Sequence, residues 1–388
     1  MMELTKNTQT IISDAYTENE IASQPALWKK IYDDFQQRKI KLKSFLNNFI
    51  NDKNLRIILT GAGSSSFIGD VLLGVYKNRF INSVDAVATT DLVTHPELYF
   101  KKQNKYLLLS FARSGNSPES SQAIILAEEL SQCVAHFIIT CNDQGELIKT
   151  VSSRNKFIYL LPPEANDKGL AMTASFTSML LVGLLISRIN NDEQLDSQID
   201  LLYKYGTKIL NTYKDDIQKA ASLYFKRAVF LGSGMLKGIA RESHLKLQEL
   251  TDGKVICKYD SFMGFRHGPQ AVIDIDTLII YLFSNNRYVN LYELDLAKAI
   301  AESRKKLFCI GVMEENIDSL NVDLRIVLSE NGRQLQEDFL TVVSVLPAQL
   351  LGFYKSMNLG LNPDSPSESG KIHRVVQGVN IYPYPNGK

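Results

Sequence analysis

The sequence predicts an α/β protein with two doubly wound parallel-sheet domains in tandem behind a helical N-terminal extension. Two observations carry this expectation. Short apolar runs alternate with helix-length segments along most of the 388 residues, the pattern of a parallel sheet covered by helices on both faces. The pattern also repeats. Leu55–Ser64 (LRIILTGAGS) is an apolar strand running into a glycine turn, and Ala228–Met235 (AVFLGSGM) reads the same way. Gly61 and Gly63 lie 171 positions before Gly232 and Gly234. The same offset lays Tyr106–Asn116 over Thr277–Arg287 and Ala135–Cys141 over Lys306–Val312, while Phe157–Leu160 matches Arg325–Leu328 at 168. Strands recurring at one offset mark a structural repeat.

Taken in order, residues 1–49 form the extension, where Trp28, Ile31 and Phe35 recur at helix spacing and Pro25 fits a first turn. Residues 50–205 and 222–360 are the two α/β units. The polar, weakly patterned stretch from Asn190 to Lys219 reads as a connecting helix and linker. From 361 to 388 the chain is a tail, rich in Pro, Ser and Gly at first and strand-like near its end.

Composition narrows the function classes. Lys+Arg 43 against Asp+Glu 42 leaves a net charge of +1, so no whole-molecule field draws the chain to nucleic acid or to an anionic membrane. Uninterrupted apolar runs such as Met179–Ile186 fall short of a bilayer span. The N-terminus has no apolar signal core. Cys133, Cys141, Cys257 and Cys309 offer neither a C-x-x-C pair nor metal-ligand spacing. The expectation is a cytoplasmic protein without metal or cofactor, whose partner is a small molecule.

Ligands of open parallel sheets sit at the carboxyl ends of the strands. The first loop there is Gly61-Ala62-Gly63-Ser64-Ser65-Ser66, opening a helix at Phe67. Its glycines let the backbone approach an anion, and a helix N-terminus favours negative charge. Ser66 stands where a dinucleotide site wants a third glycine, and no Walker lysine follows. The second loop, Ser110 to Ser120 (SFARSGNSPES), also follows a strand, with Ser117 as a helix N-cap and Pro118 as the first helical residue. Either loop alone is an ordinary serine-capped turn. Together they suit a phosphate monoester, with Gly63, Ser64, Ser65, Arg113, Ser114 and Ser117 as its surroundings.

The G-x-G-S-S turn followed by R-S-G-N-S resembles the SIS (sugar isomerase) family of phosphosugar-binding domains, from Leu55 to Leu361. The resemblance implies a five-stranded parallel sheet in each half.

In the second half, Glu242, Lys246 and Glu249 share one helix face at i, i+4 and i+7. Such a stripe is ordinarily a solvated ion-pair face. Here the helix starts at a ligand-facing loop, and Arg266-His267-Gly268-Pro269 follows. L-K-L-x-E and then H-G-P resemble the isomerase domain of glucosamine-6-phosphate synthase. That likeness makes Glu249 the carboxylate moving a proton between C2 and C1, His267 the ring-opening acid/base, and Lys246 the lysine beside the carboxylate. Aldose–ketose chemistry needs one such base and a group titrating near neutrality. His95, His136 and His244 are less persuasive, being loop, strand and helix residues without a partner motif.

Ala171-Met172-Thr173 lies in a segment that resembles the synthase's sugar-contacting stretch, with Met172 where the synthase has serine. A-M-T-A-S-F-T-S-M-L, F-R-H-G-P and the tail R-V-V-Q-G-V resemble the galactosamine-6-phosphate deaminase/isomerase group, also called tagatose-6-phosphate ketose/aldose isomerases. The family's tail carries a lysine into the site; here Lys371 and Arg374 both qualify, and His373 lies between them. No cysteine precedes Cys133, so no glutaminase nucleophile supplies ammonia. The expected direction is therefore release of ammonia, in a homodimer or dimer of dimers. The rivals are a non-deaminating isomerase, a phosphosugar-binding regulator, whose basic trihelical module the first fifty residues do not supply, and a dehydrogenase, which the serine-rich loops disfavour.

Overall fold

The computed structural model describes residues 15–191, 194–303 and 308–385. Strands β1 (Leu55–Gly61), β2 (Ser83–Ala86), β3 (Lys105–Ala112), β4 (Cys133–Thr140) and β5 (Lys156–Leu160) form a parallel sheet in the order β2-β1-β3-β4-β5. A second parallel sheet follows: β6 (Arg227–Gly232), β7 (Ile256–Asp260), β8 (Thr277–Leu282), β9 (Phe308–Met313) and β10 (Leu324–Val327). Its order, β7-β6-β8-β9-β10, repeats the first. The expected repeat is therefore a repeat of topology. Lys306 and Leu307 of the aligned segment lie outside the described residues, as do residues 1–14 of the extension.

The glycine turns repeat too. Gly63 has φ 56° and ψ −131°, and Gly234 has φ 54° and ψ −122°, a backbone state that L side chains rarely adopt. Two residues earlier, a Cβ on Gly61 would stand 2.7 Å from the Ser65 backbone, and one on Gly232 would stand 2.3 Å from the Leu236 carbonyl. Only glycine lets each strand end turn tightly into its helix.

Those two equivalent helices, Ser64–Arg79 and Met235–Leu250, pack against each other and join the halves. Gly238 allows the close crossing, since a Cβ there would meet Val71 at 2.6 Å. The Arg241–Asp70 ion pair, at 2.6 Å, flanks the contact. One hydrophobic core runs through both halves and takes in the first helix. The segment Glu337–Asn358, apolar and long enough to cross a membrane, is buried in it along its most apolar stretch, with Met357 and Asn358 exposed at its end.

Two local expectations are corrected. Pro25 sits nine residues inside the Tyr16–Ile50 helix rather than in its first turn. The missing proline N–H leaves the Ile21 carbonyl without its usual donor, and Gln24 Nε2 reaches that carbonyl at 3.3 Å. Among the described residues the tail after residue 371 has no strand; it runs as irregular chain, and Tyr384 packs on the outer face of the first sheet.

Candidate active site

The first sheet reverses its strand order between β1 and β3, and the loops leaving these strands open a crevice of about 220 Å³. Gly63, Ser64, Ser65, Arg113, Ser114 and Ser117 all line it. The Ser64–Arg79 and Pro118–Leu130 helices begin at this crevice, so their unpaired N–H groups favour an anion there. Ser117 is the N-cap residue as expected, but its hydroxyl makes no capping bond and so can turn to a ligand. Ser65 donates to the Met172 sulfur at 3.8 Å, which brings Met172 into the wall.

Arg113 is buried and spent on carbonyl groups. Its guanidinium donates to Leu170 O at 3.0 Å and to Arg374 O at 2.8 Å. Burial lowers its pKa, with Asp167 opposing, and a guanidinium stays charged regardless. Arg113 thereby ties the second loop to the Met172 segment and to the tail.

From the second half, Leu245, Lys246 and Glu249 close the opposite wall. The helix crossing at Gly238 brings Lys246 Nζ within 3.1 Å of Ser64 Oγ. Lys246 is fully buried, forms a close ion pair with Glu249, and lies 3.1 Å from Glu242 Oε1. Burial opposes its charge, but the two carboxylates outweigh burial and raise its pKa. Glu249 keeps 14 % of its side chain exposed at the crevice. Glu242 is wholly buried, and desolvation pushes its carboxyl up to about 7, with Lys246 opposing and Glu249 adding to the rise.

The tail supplies the last wall through Ile372, His373, Arg374, Val375 and Val376. Arg374 is there by its backbone, while its guanidinium turns away to Asp167 O at 2.8 Å and Asn166 Oδ1 at 2.7 Å. Lys371 is exposed and not part of the wall. Ala171 and Thr173 are buried behind Met172. Thr173 is directed inward because Asp167 accepts its hydroxyl at 2.8 Å, its amide at 3.0 Å and the Ala174 and Ser175 amides at 2.8 and 3.0 Å. That carboxylate caps the Ala174–Ser187 helix from seven residues before it, beyond the reach of local capping rules. His267 lies on an exposed turn outside the crevice of its own chain.

Glu119, buried in the first turn of its helix and lining the crevice, was not singled out from the sequence. Its position two residues past the N-cap was the available signal. Two of the other histidines are structural. His136 is buried on β4 beside Glu128 and pushed down to about 4 by desolvation. His244 is lowered likewise and packs on Tyr259.

No family model matches the chain. Among curated proteins, it is 37% identical over 373 residues to the D-galactosamine-6-phosphate deaminase AgaS of Shewanella sp. (strain ANA-3), covering 95% of this chain and 92% of that one. The protein of the same name from Escherichia coli is 38% identical over 374 residues, covering 95% and 96%. Among solved structures, the tagatose-6-phosphate ketose/aldose isomerase from Escherichia coli superposes with a TM-score of 0.87 at 34% identity, over 97% of this chain and 99% of that one. The C-terminal domain of the glucosamine-fructose-6-phosphate aminotransferase from Francisella tularensis, at 18% identity and a TM-score of 0.70, shares the fold. With two topologically identical sheets, one serine-lined crevice and full-length relatives above 30% identity, the chain belongs to the tandem-SIS sugar isomerase family, in the group of the galactosamine-6-phosphate deaminases.

Proposed function

We propose that the protein converts galactosamine 6-phosphate and water to tagatose 6-phosphate and ammonia. The observation that carries this reading is the pairing, across one small crevice, of an anion cradle in the first half with the Lys246–Glu249 pair of the second. The phosphate group rests on Ser64, Ser65, Ser114 and Ser117 and on the two helix N-termini, where hydrogen bonds to a charged group contribute most. That anchors the sugar with C1 and C2 toward Glu249. Once the ring opens, Glu249 takes the C2 proton and returns it to C1, and Lys246 offsets the negative charge that develops between the steps. The ketimine left at C2 hydrolyses to the ketose and ammonia. The names of the relatives support this substrate.

Ring opening is assigned to His267 of a second copy of the chain, since the turn bearing it is exposed and its own crevice lacks it. The working form is then a dimer, each site built from unlike parts of identical chains. Glu249→Gln and His267→Ala homodimers should both be nearly inactive. Refolded together, they give mixed dimers with one intact site, returning roughly a quarter of wild-type activity under random pairing. Proven mixed dimers without recovery would place His267 in its own chain's site.

The deciding experiment incubates the protein with galactosamine 6-phosphate and glucosamine 6-phosphate and measures ammonia and ketose phosphate. Ammonia and tagatose 6-phosphate in equal amounts are expected. Ketose formed from an aldose phosphate with no ammonia from either amino sugar would establish the non-deaminating isomerase instead.

A further inference from the structure

Three charged groups sit on one helix face beside the crevice, and their charges do not balance. Lys246 lies between Glu242 and Glu249, so the fully ionised cluster carries one excess negative charge in a place where Lys246 and Glu242 have no solvent exposure. Burying an uncompensated charge costs far more than binding a proton. The cluster therefore holds an extra proton, and the geometry decides where. Glu249 makes the closer contact with the ammonium and keeps an edge at the solvent-filled crevice. Glu242 makes the longer contact, at 3.1 Å, and neither of its carboxylate oxygens receives a hydrogen bond of good geometry.

We infer that Glu242 is a positioning residue that carries this proton in the resting enzyme, leaving Glu249 ionised as the base and Lys246 charged between them. The inference rests on the catalytic reading of Glu249 given above, but its first test does not.

Arg113, across the crevice, interacts with Glu249 rather than with Glu242, and its guanidinium is held by the Leu170 and Arg374 carbonyls; the other charges near the cluster are engaged as well. On the facing Ser64–Arg79 helix, Asp70 pairs with Arg241 at 2.6 Å, and the Ser64 hydroxyl lowers the Glu242 carboxyl only partly. On the Leu346–Asn358 helix, Lys355 donates to the Leu223 carbonyl at 2.7 Å. On β7, Lys258 acts on His244. The charges acting on Glu242 are those of Lys246 and Glu249. A carboxylic acid in that position does two things. It keeps the ammonium from being shared by two anions, so Lys246 remains directed at Glu249 and Ser64. It also removes a negative charge that would raise the proton affinity of Glu249 and leave the base partly occupied. Two chemically alike carboxylates seven residues apart thus hold different protonation states, set by burial first and then by their unequal contacts with Lys246.

The test uses the intact, unliganded protein and infrared difference spectroscopy across neutrality. The wild type should show protonated-carboxyl stretches that disappear as the pH rises through about 7, with Glu293 and Glu20, which burial also pushes up to about 7, contributing beside Glu242. One component of this absorption should be missing in Glu242→Gln and present in Glu249→Gln. Folded Glu242→Gln with the same titrating carboxyl absorption as the wild type would overturn the inference. A band lost in Glu249→Gln and kept in Glu242→Gln would place the proton on Glu249 and overturn it too. Turnover supplies the second readout, on whichever phosphosugar the protein converts. Glu242→Gln, a neutral mimic of the acid, should stay within about tenfold of wild type at neutral pH and lose the inflection near 7. A folded Glu242→Gln as inactive as Glu249→Gln would show that an ionised Glu242 is required and would reject the assignment.

Discussion

The two halves of the molecule share strand order, turn and helix, yet they differ in what faces the space at the switch point: serines and Arg113 line the crevice of the first half, whereas the second half opens beside Met235, Val289 and the carboxylates Glu337 and Asp338. In the first half the turn continues into Ser64, Ser65 and Ser66, and the second loop presents Arg113 and Ser114. At the equivalent positions the second half has Met235, Leu236 and Lys237, then Ser284 and Asn285. Its anion position is filled from within. Glu293 is fully buried, and its Oε2 accepts the Ser284 amide at 3.0 Å and Asn290 Nδ2 at 3.0 Å, while Glu337 accepts the Ser284 hydroxyl. Burial pushes Glu293 up to about 7 against the hydrogen bonds of Ser233, Ser284 and Asn290. The duplicated scaffold presents amides to an anion in both halves. In the first half they border the serine-lined crevice; in the second a side chain of the protein takes the place.

The sharpest way to break this comparison is to neutralise one carboxylate in each role. Glu249→Gln should cut turnover roughly 100- to 10,000-fold, whereas Glu293→Gln should leave it within about threefold. An equal loss in both, with both folded, would mean that the second crevice takes part in the reaction. Stability should separate them in the other direction. A carboxyl whose folded pKa is raised from 4.5 to about 7 favours the folded state most below 4.5, and that advantage disappears as pH rises to 7. The stability of wild type relative to Glu293→Gln should therefore fall by about 1 kcal/mol per pH unit across that window and level off above it. Urea midpoints of both proteins would check this, and a gap that widens in favour of wild type with rising pH would refute it.

Smaller changes sharpen the same contrast. Gly63→Ala and Gly234→Ala force an L residue into the same rare backbone state, so each should cost about 1–3 kcal/mol of stability. Only Gly63→Ala should raise the Michaelis constant as well, which steady-state kinetics on the folded variants would read. Ser114→Ala removes one hydroxyl from the anion cradle and should raise the Michaelis constant about tenfold with turnover little changed. Unphosphorylated galactosamine binding as tightly as its phosphate ester would remove the cradle itself.

Much of the fold was legible because apolar strands, glycine turns and helix-length spacers carry period and offset directly in the residue order. The serine lining of the crevice was legible for the same reason: Ser64, Ser65, Ser114 and Ser117 sit in turns whose geometry is local. Thr173 and Arg374 were not, because Thr173 is held by the Asp167 carboxylate and Arg374 by the Asp167 backbone carbonyl, partners met only in the folded chain. Pro25 violated its local rule because Gln24 reaches the freed carbonyl, and Gln24 is itself held by Gln349 at 2.6 Å from the far end of the sequence. His267 illustrates a further limit. Its motif is local, but the crevice of its own chain does not include it.

The start of the first helix meets the beginning of the tail beside the crevice. Asp364 accepts the Tyr16 and Thr17 amides at 2.9 and 2.8 Å and so caps the first helix, while its own carbonyl accepts the Leu170 amide at 3.0 Å. During synthesis the first helix must therefore wait for a residue made almost 350 positions later before its leading turn is satisfied. The segment bearing Met172 waits with it, and the wall made by Ile372 to Val376 comes later still. A nascent chain can complete both sheets without completing a binding site. A chain cut before Asp364 would lose both this cap and the wall from Ile372 to Val376, leaving the crevice open on that side.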